Sequence, residues 1–84
     1  MFDPYVIPTE KAAIVILSAP KGFVMCGYLN IEAADRLGDA AAMVTGVATA
    51  DDALKARISA LTKAAKDLGV REGMSCEQAL SLMQ

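Results

Sequence analysis

Two neighbouring apolar segments near the N-terminus constrain the fold of this chain more than any other feature. Residues 12–19 form a continuous run rich in β-branched side chains, and continuous apolarity predicts a strand that is covered on both faces. Pro20 and Gly22 then supply a tight turn, and residues 23–29 follow as a second apolar segment. The pattern predicts a β-hairpin whose first strand lies in the centre of a sheet.

A helix and a third strand follow the hairpin. Asn30 is a favourable N-cap, and apolar residues recur at helical spacing from Ile31 to Gly38, a typical helix end. Residues 42–48 predict a third strand, in which Gly46 indicates a bulge or a close approach of another backbone. Because a helix connects them, the second and third strands are expected to be parallel, with a right-handed crossover.

Two further helices are predicted after the third strand. Thr49 and Asp52 form a variant of the capping box, and an apolar stripe indicates one long helix that runs to about Leu68. Ser75 with Gln78 makes a second capping box, which opens a short C-terminal helix. The helices are expected to pack on the sheet.

These elements predict a small α/β (α+β) fold with the order β-β-α-β-α-α. With the first strand central, the sheet order is 2-1-3. A chain of 84 residues allows one domain, which we predict to span residues 1–84. An extended N-terminal arm, residues 1–11, precedes the α/β body, residues 12–84, and the arm is apolar enough to lie against a neighbouring subunit or over the sheet.

The composition predicts self-association. The apolar fraction is 55%, above the roughly 45–50% of ordinary globular chains, and a chain this short buries only a thin core. We therefore predict a homo-oligomer, from dimer to tetramer, that covers the excess apolar surface.

Charge and hydropathy exclude two classes of partner. The net charge is −2 and the basic residues are scattered, so the clustered basic face needed for nucleic-acid binding is absent. The apolar runs are far shorter than the roughly 20 residues of a membrane helix, and the N-terminal sequence lacks the pattern of a signal peptide. The predicted location is cytoplasmic, with no nucleic acid and no membrane among the partners.

The sequence contains no histidine. This excludes serine or cysteine nucleophiles activated by histidine and every histidine-ligated metal site. A homo-oligomer does not restore these sites, because its other chains lack histidine too. We predict neither a metal nor a cofactor, and we expect Cys26 and Cys76 to remain thiols in a cytosolic setting.

Two segments together resemble a known family. Residues 21–30 (KGFVMCGYLN) and 68–80 (LGVREGMSCEQAL) are similar to those of the YunC-like family of small bacterial and archaeal proteins, a domain of unknown function, and residues 36–39 and 44–49 fit the same pattern. The resemblance implies a small α/β domain whose N-terminal β region assembles a tetramer, with no assigned activity. It also implies an N-terminal β segment longer than residues 1–11, and it carries over no catalytic residues.

The two cysteines are the candidates for chemistry. Cys26 lies in a predicted strand, and Cys76 lies at the first position of the last helix, where the helix dipole favours a thiolate. Both positions also fit a buried cysteine that packs as a small apolar residue. Reactivity and packing therefore both stay open for each thiol.

The sequence also places a candidate ligand site at one edge of the sheet. Asn30 and Thr49 each start a helix that follows one of two parallel strands, so both helix N-termini are expected at the edge where ligands bind in open α/β sheets. Cys26, Gly27 and Gly46 are assigned to the same site, since the glycines leave room for a ligand. The ligand is expected to be small, and anionic if the helix ends bind it.

Three functions follow from this pattern. The first is a non-catalytic homo-oligomeric module that binds a small ligand or a partner protein. The second is a structural subunit of a larger assembly. The third is a thiol-dependent enzyme or redox sensor that uses Cys26 or Cys76, so the sequence does not decide whether the protein is an enzyme.

Overall fold

Five strands form one mixed sheet in the computed structural model, which describes residues 2–84. The strands are β1 (Asp3–Pro8), β2 (Ala13–Ala19), β3 (Gly22–Met25), β4 (Ala41–Met43) and β5 (Ala60–Leu61). The helices are α1 (Ile31–Leu37), α2 (Ala50–Lys55), α3 (Lys63–Asp67) and α4 (Cys76–Leu82). The predicted α/β class is confirmed.

The sheet order β1-β2-β3-β4-β5 follows the chain. The predicted parallel direction of β3 and β4 is confirmed, and the other neighbouring strands are antiparallel. The first, second and third predicted strands correspond to β2, β3 and β4. The predicted order 2-1-3 is wrong, because β4 pairs with β3 and not with β2. The other edge of β2 pairs with β1. Strand β2 is therefore internal, as its continuous apolarity indicated, but its second neighbour is β1 and not β4.

Strand β1 lies in the segment that was predicted as an extended arm; Met1 of that arm lies outside the described residues. The strand pairs along its whole length with β2, from Asp3 opposite Ser18 to Pro8 opposite Ala13. Every residue of β1 is exposed. The segment therefore extends the sheet sideways as an edge strand and does not lie over it.

The predicted long helix from Thr49 to Leu68 is wrong, because the chain forms α2, β5 and α3 in this region. The helix α2 ends at Ala56, whose backbone is extended. Ile58 then pairs with the C-terminal segment, since its N–H donates to the carbonyl oxygen of Met74 at 2.8 Å. A second N-cap, Thr62, starts α3. Tertiary strand pairing thus overrides the helical periodicity of the apolar stripe.

The caps predicted for α1 and α4 are confirmed. The Oδ1 atom of Asn30 accepts hydrogen bonds from the N–H groups of Glu32 and Ala33 at 2.9 and 3.1 Å. Gly38 ends α1 with φ of 83°, a left-handed conformation that favours glycine. The Oγ atom of Ser75 accepts from the N–H of Gln78 at 3.2 Å and caps α4.

Apolar side chains pack on both faces of the sheet. The larger core lies on the face covered by α2 and α4, and its largest fully buried members include Val15, Leu17, Val24, Ile58 and Met83. A smaller cluster of Met25, Ala34 and Ala41 lies under α1. Because α1 lies against β4 and β5, its side of the sheet is covered only at that end. No helix within residues 2–84 is long and apolar enough to cross a membrane.

Candidate functional site

An open pocket of about 420 Å³ lies where β3 and β4 leave the sheet. The two strands are parallel, so the segments that follow them emerge at the same edge, the usual ligand position in α/β sheets. The pocket is lined by Ala12, Cys26, Gly27, Tyr28, Gly46, Val47 and Ala48. The structure thus brings together three of the five residues assigned to the ligand site from sequence: Cys26, Gly27 and Gly46.

Cys26 lies directly after β3 and is held against β2 by its backbone and its side chain. Its N–H donates to the carbonyl oxygen of Val15 at 3.0 Å, and its Sγ accepts from the N–H of Val15 at 3.3 Å. The thiol also donates to the carbonyl oxygen of Ala13 at 4.0 Å. The residue is 3% exposed and lines the pocket, and its side chain is held against β2.

The two glycines of the pocket have different roles. Gly46 has φ of 70°, a conformation that side chains with a Cβ rarely adopt, and a Cβ built there meets nothing within 4 Å. A Cβ at Gly27 would lie 3.5 Å from Cγ2 of Thr45, an ordinary contact. Gly46 was predicted inside a strand over residues 42–48, which is wrong, because β4 ends at Met43. The glycine is needed for the backbone turn after the strand.

Asn30 and Thr49 flank the pocket in sequence but do not line it. Their side-chain oxygens are used as helix caps, with the Oγ1 atom of Thr49 accepting from the N–H of Asp52 at 3.0 Å. The Oδ2 atom of Asp52 accepts from the N–H of Ala48 at 3.4 Å, one residue before the N-cap, and not from the N–H of Thr49 as in a standard capping box. The lining contains no Asp, Glu, Lys or Arg, so no side chain of the pocket supplies a full charge for an anion.

Tyr28 is a lining residue that sequence reasoning missed. Its side chain is 52% exposed, and its hydroxyl lies 3.0 Å from the Oγ1 atom of Thr9, with either group able to donate. Thr9 Oγ1 also accepts from the N–H of Ala12, so the tyrosine joins the pocket rim to the β1–β2 turn. The available signal was strand alternation, which puts Tyr28 and Cys26 on one face.

The second predicted thiol, Cys76, does not line the pocket. It is fully buried at the start of α4, where its N–H donates to the carbonyl oxygen of Ala56 at 2.9 Å. Burial, with a smaller contribution from Glu77, raises the pKa of this thiol from 9.0 to about 11. Cys76 is therefore a neutral thiol at physiological pH. Within residues 2–84 no group of three or more cysteines and carboxylates is placed to hold a metal ion.

The comparisons with known proteins assign the family. The family model described as "Domain of unknown function (DUF1805)" matches residues 25–83. The chain belongs to the DUF1805 family. It is similar to the uncharacterized protein YunC of Bacillus subtilis (strain 168), with 33% identity over 86 residues that cover 98% of this chain and 85% of YunC. The YunC-like resemblance is thereby confirmed.

A solved structure supports the fold of this DUF1805 protein. The crystal structure of a protein of unknown function, TA1206 from Thermoplasma acidophilum, is similar with a TM-score of 0.85 and 27% identity. The similarity covers 100% of this chain and 94% of TA1206. The descriptions of DUF1805, YunC and TA1206 name no activity.

Proposed function

We propose that this DUF1805 protein is a non-catalytic homo-oligomeric module that binds a small ligand at the ends of β3 and β4. The observation that carries this proposal is the pocket that joins Cys26 and Gly27 of one strand end to Gly46 of the next. Its volume of about 420 Å³ falls within the roughly 300–1,000 Å³ of small-molecule sites.

The lining favours a largely apolar ligand. Ala12, Val47 and Ala48 provide small aliphatic surface, and the side chains that add polar atoms are those of Cys26 and Tyr28. Small-molecule sites commonly combine an apolar wall with a few polar groups that fix orientation. A neutral ligand with one hydrogen-bonding group therefore suits the pocket better than an anion.

The exposed strand β1 supports self-association. Tyr5, Val6 and Ile7 are 55%, 45% and 55% exposed, although they are apolar or aromatic. Tyr5 and Ile7 lie opposite Ile16 and Ile14 of β2 on the sheet face that α1 leaves open, and both isoleucines are partly exposed. An exposed edge strand beside an apolar sheet face is a typical interface, and we propose a second copy as its occupant.

Thiol chemistry at Cys26 is a second candidate function, because this cysteine lines the pocket. The structure offers no matching argument for Cys76, which is buried in the core with a raised pKa. A redox role for Cys26 requires it to react with a small electrophile or oxidant. Alkylation of the native protein that modifies Cys26 and spares Cys76 would favour this candidate.

Native mass spectrometry of the untagged protein tests the main proposal. We expect an oligomer that carries a reproducible small-molecule adduct. Ala48→Phe, which fills the pocket, should abolish the adduct, while Glu32→Phe on the exposed side of α1 should retain it. A monomer would refute the assembly, and an oligomer without adduct, or an adduct that survives Ala48→Phe, would refute the ligand site.

A further inference from the structure

A second, larger concavity of about 1010 Å³ lies along the other edge of the sheet, at β5. It is lined by residues 59–62, by residues 70–72, and by Lys63, Lys66 and Asp67 of α3. We propose that this groove, the β5 groove, binds an extended acidic peptide segment of a partner protein, which adds to the sheet beside β5. This site is separate from the pocket proposed above.

The β5 groove lies where the segment around Ile58 and the segment that ends at Met74, which are paired with each other, separate. The N–H of Ile58 donates to the carbonyl oxygen of Met74, and the N–H of Gly73 donates to the carbonyl oxygen of Ile58, both at 2.8 Å. After Ile58 the chain turns toward β4, where the N–H of Ser59 donates to the carbonyl oxygen of Met43 at 2.8 Å. Residues 70–72 do not follow this turn, so a space opens between them and β5.

The main chain of Leu61 faces this space. The N–H of Thr62 donates to the carbonyl oxygen of Ala41 at 2.9 Å, and the N–H of Ala41 donates to the Oγ1 atom of Thr62 at 3.0 Å, so the main chains of these two residues face each other across the antiparallel register. The adjacent pair, Leu61 with Ala42, is then a non-hydrogen-bonded pair of the antiparallel ladder. In such a pair the main-chain N–H and C=O groups point away from the neighbouring strand. No strand within residues 2–84 pairs with this side of β5. An extended peptide recognises such an edge through its own main chain.

The charge of the groove selects an acidic peptide. Three cationic side chains, Lys63, Lys66 and Arg71, line it together with the carboxylates of Asp67 and Glu72. Its net charge is therefore +1, whereas the whole chain carries −2. A peptide with acidic side chains meets a local excess of cations here, and complementary charge fixes register and favours association.

Arg71 is held in position for a carboxylate. Its Nη1 atom donates to the carbonyl oxygens of Lys66 and Val70 at 3.1 and 2.9 Å, which fixes the guanidinium at the end of α3. A guanidinium carries five N–H donors in a rigid plane. The remaining donors are available to an acidic side chain of the bound peptide.

Titration of the full-length ¹⁵N-labelled protein with a capped hexapeptide of alternating Glu and Val tests the proposal. We expect amide shifts in residues 59–63, 66 and 71, and slower hydrogen exchange at the amide of Leu61 on binding. The same peptide with N-methylated backbone amides should not bind, because it lacks the main-chain donors. Absence of shifts in the groove at millimolar peptide would overturn the proposal.

Charge-reversal variants test the acidic preference. Lys63→Glu combined with Lys66→Glu should weaken binding at least tenfold, whereas the control Lys11→Glu with Lys21→Glu makes the same change in net charge outside the groove. Both pairs are exposed, and circular dichroism verifies that each variant is folded. Equal affinity of the two variants, or equal binding of a Lys-Val peptide, would overturn the proposal. Shifts reproduced by free glutamate would assign the groove to small anions instead.

Discussion

Thr62 is the residue whose substitution tests the fold most sharply. It is 1% exposed, and its Oγ1 atom forms three hydrogen bonds between β4, β5 and α3. It donates to the carbonyl oxygen of Asp39 at 2.7 Å and accepts from the N–H groups of Ala41 and Ala65 at 3.0 and 3.2 Å. The side chain thus caps α3 and also completes the end of the β4–β5 ladder.

Thr62→Val removes the hydroxyl with almost no change in volume. The substitution leaves the N–H groups of Ala41 and Ala65 without this acceptor, and Ala41 is fully buried. Loss of an N-cap costs about 1 kcal/mol, and a buried unsatisfied donor costs about 1–3 kcal/mol. We therefore expect the free energy of unfolding to fall by about 2–4 kcal/mol, a large part of the ~5–15 kcal/mol of a typical domain.

Urea denaturation followed by circular dichroism measures this loss, at fixed protein concentration because the proposed assembly would add to stability. Thr62→Ser is the matched control, since it keeps the hydroxyl and deletes one methyl group, at a cost of about 1 kcal/mol. A valine variant as stable as the serine variant, with unchanged m-value, would refute the role of the hydroxyl in joining the three elements.

Three further predictions concern other parts of the molecule. Gly22→Ala should destabilise the fold by about 1–3 kcal/mol, because its Cβ would lie 2.5 Å from the carbonyl oxygen of Ala40. Thermal denaturation of this variant is compared with that of Gly27→Ala, whose Cβ has room, and equal stability of the two variants would contradict the prediction. Cys76 has its pKa raised to about 11 by burial, so the folded state keeps a proton that the unfolded thiol releases above 9.0. Stability should fall between pH 9 and 11 in urea titrations, and this component of the fall should be missing from Cys76→Ala. Ile7→Lys on β1 should convert the proposed oligomer to monomers in sedimentation velocity without unfolding the chain, while Glu10→Lys outside the strand should leave the oligomer intact; an oligomer unchanged by Ile7→Lys would remove β1 from the proposed interface.

Local signals account for the parts of the fold that the sequence predicted. Asn30 and Gly38 bracket α1 because each supplies a group that a helix end needs. The helix between β3 and β4 requires them to be parallel when they are neighbours, and this places the pocket at a predictable edge. This edge, together with the room that the two glycines leave for a ligand, allows Cys26, Gly27 and Gly46 to be assigned to one site.

Strand β1 was not predicted because its sequence resembles that of an irregular segment. Pro4 and Pro8 each lack an N–H, which disfavours a strand in the interior of a sheet. At an edge only one side of the strand is paired, and the register places these prolines opposite Leu17 and Ala13 without interrupting the pairing. Whether a segment lies at an edge is decided by the tertiary arrangement and leaves no periodic trace in the sequence.

The break in the predicted long helix has a related cause. Leu54, Ile58, Leu61 and Ala65 all contribute to the core, so the apolar stripe was a correct indication of burial and a wrong indication of secondary structure. Ile58 is paired with Met74 and Gly73, residues far along the chain. Only Thr62 marked the break locally, and a threonine inside an apolar stripe does not by itself predict a new N-cap.

Cys26 illustrates why the site could be located but not fully interpreted from sequence. The sequence leaves reactivity and packing open for this cysteine, and in the structure it is 3% exposed and also lines the pocket. Cys26 is buried although it borders the pocket because Val15 of β2 lies against it and donates its N–H to the sulfur. This contact depends on the register between β2 and the residue that follows β3, which the hairpin turn sets. A ligand bound in the pocket would therefore meet a residue whose side chain the sheet already holds in place.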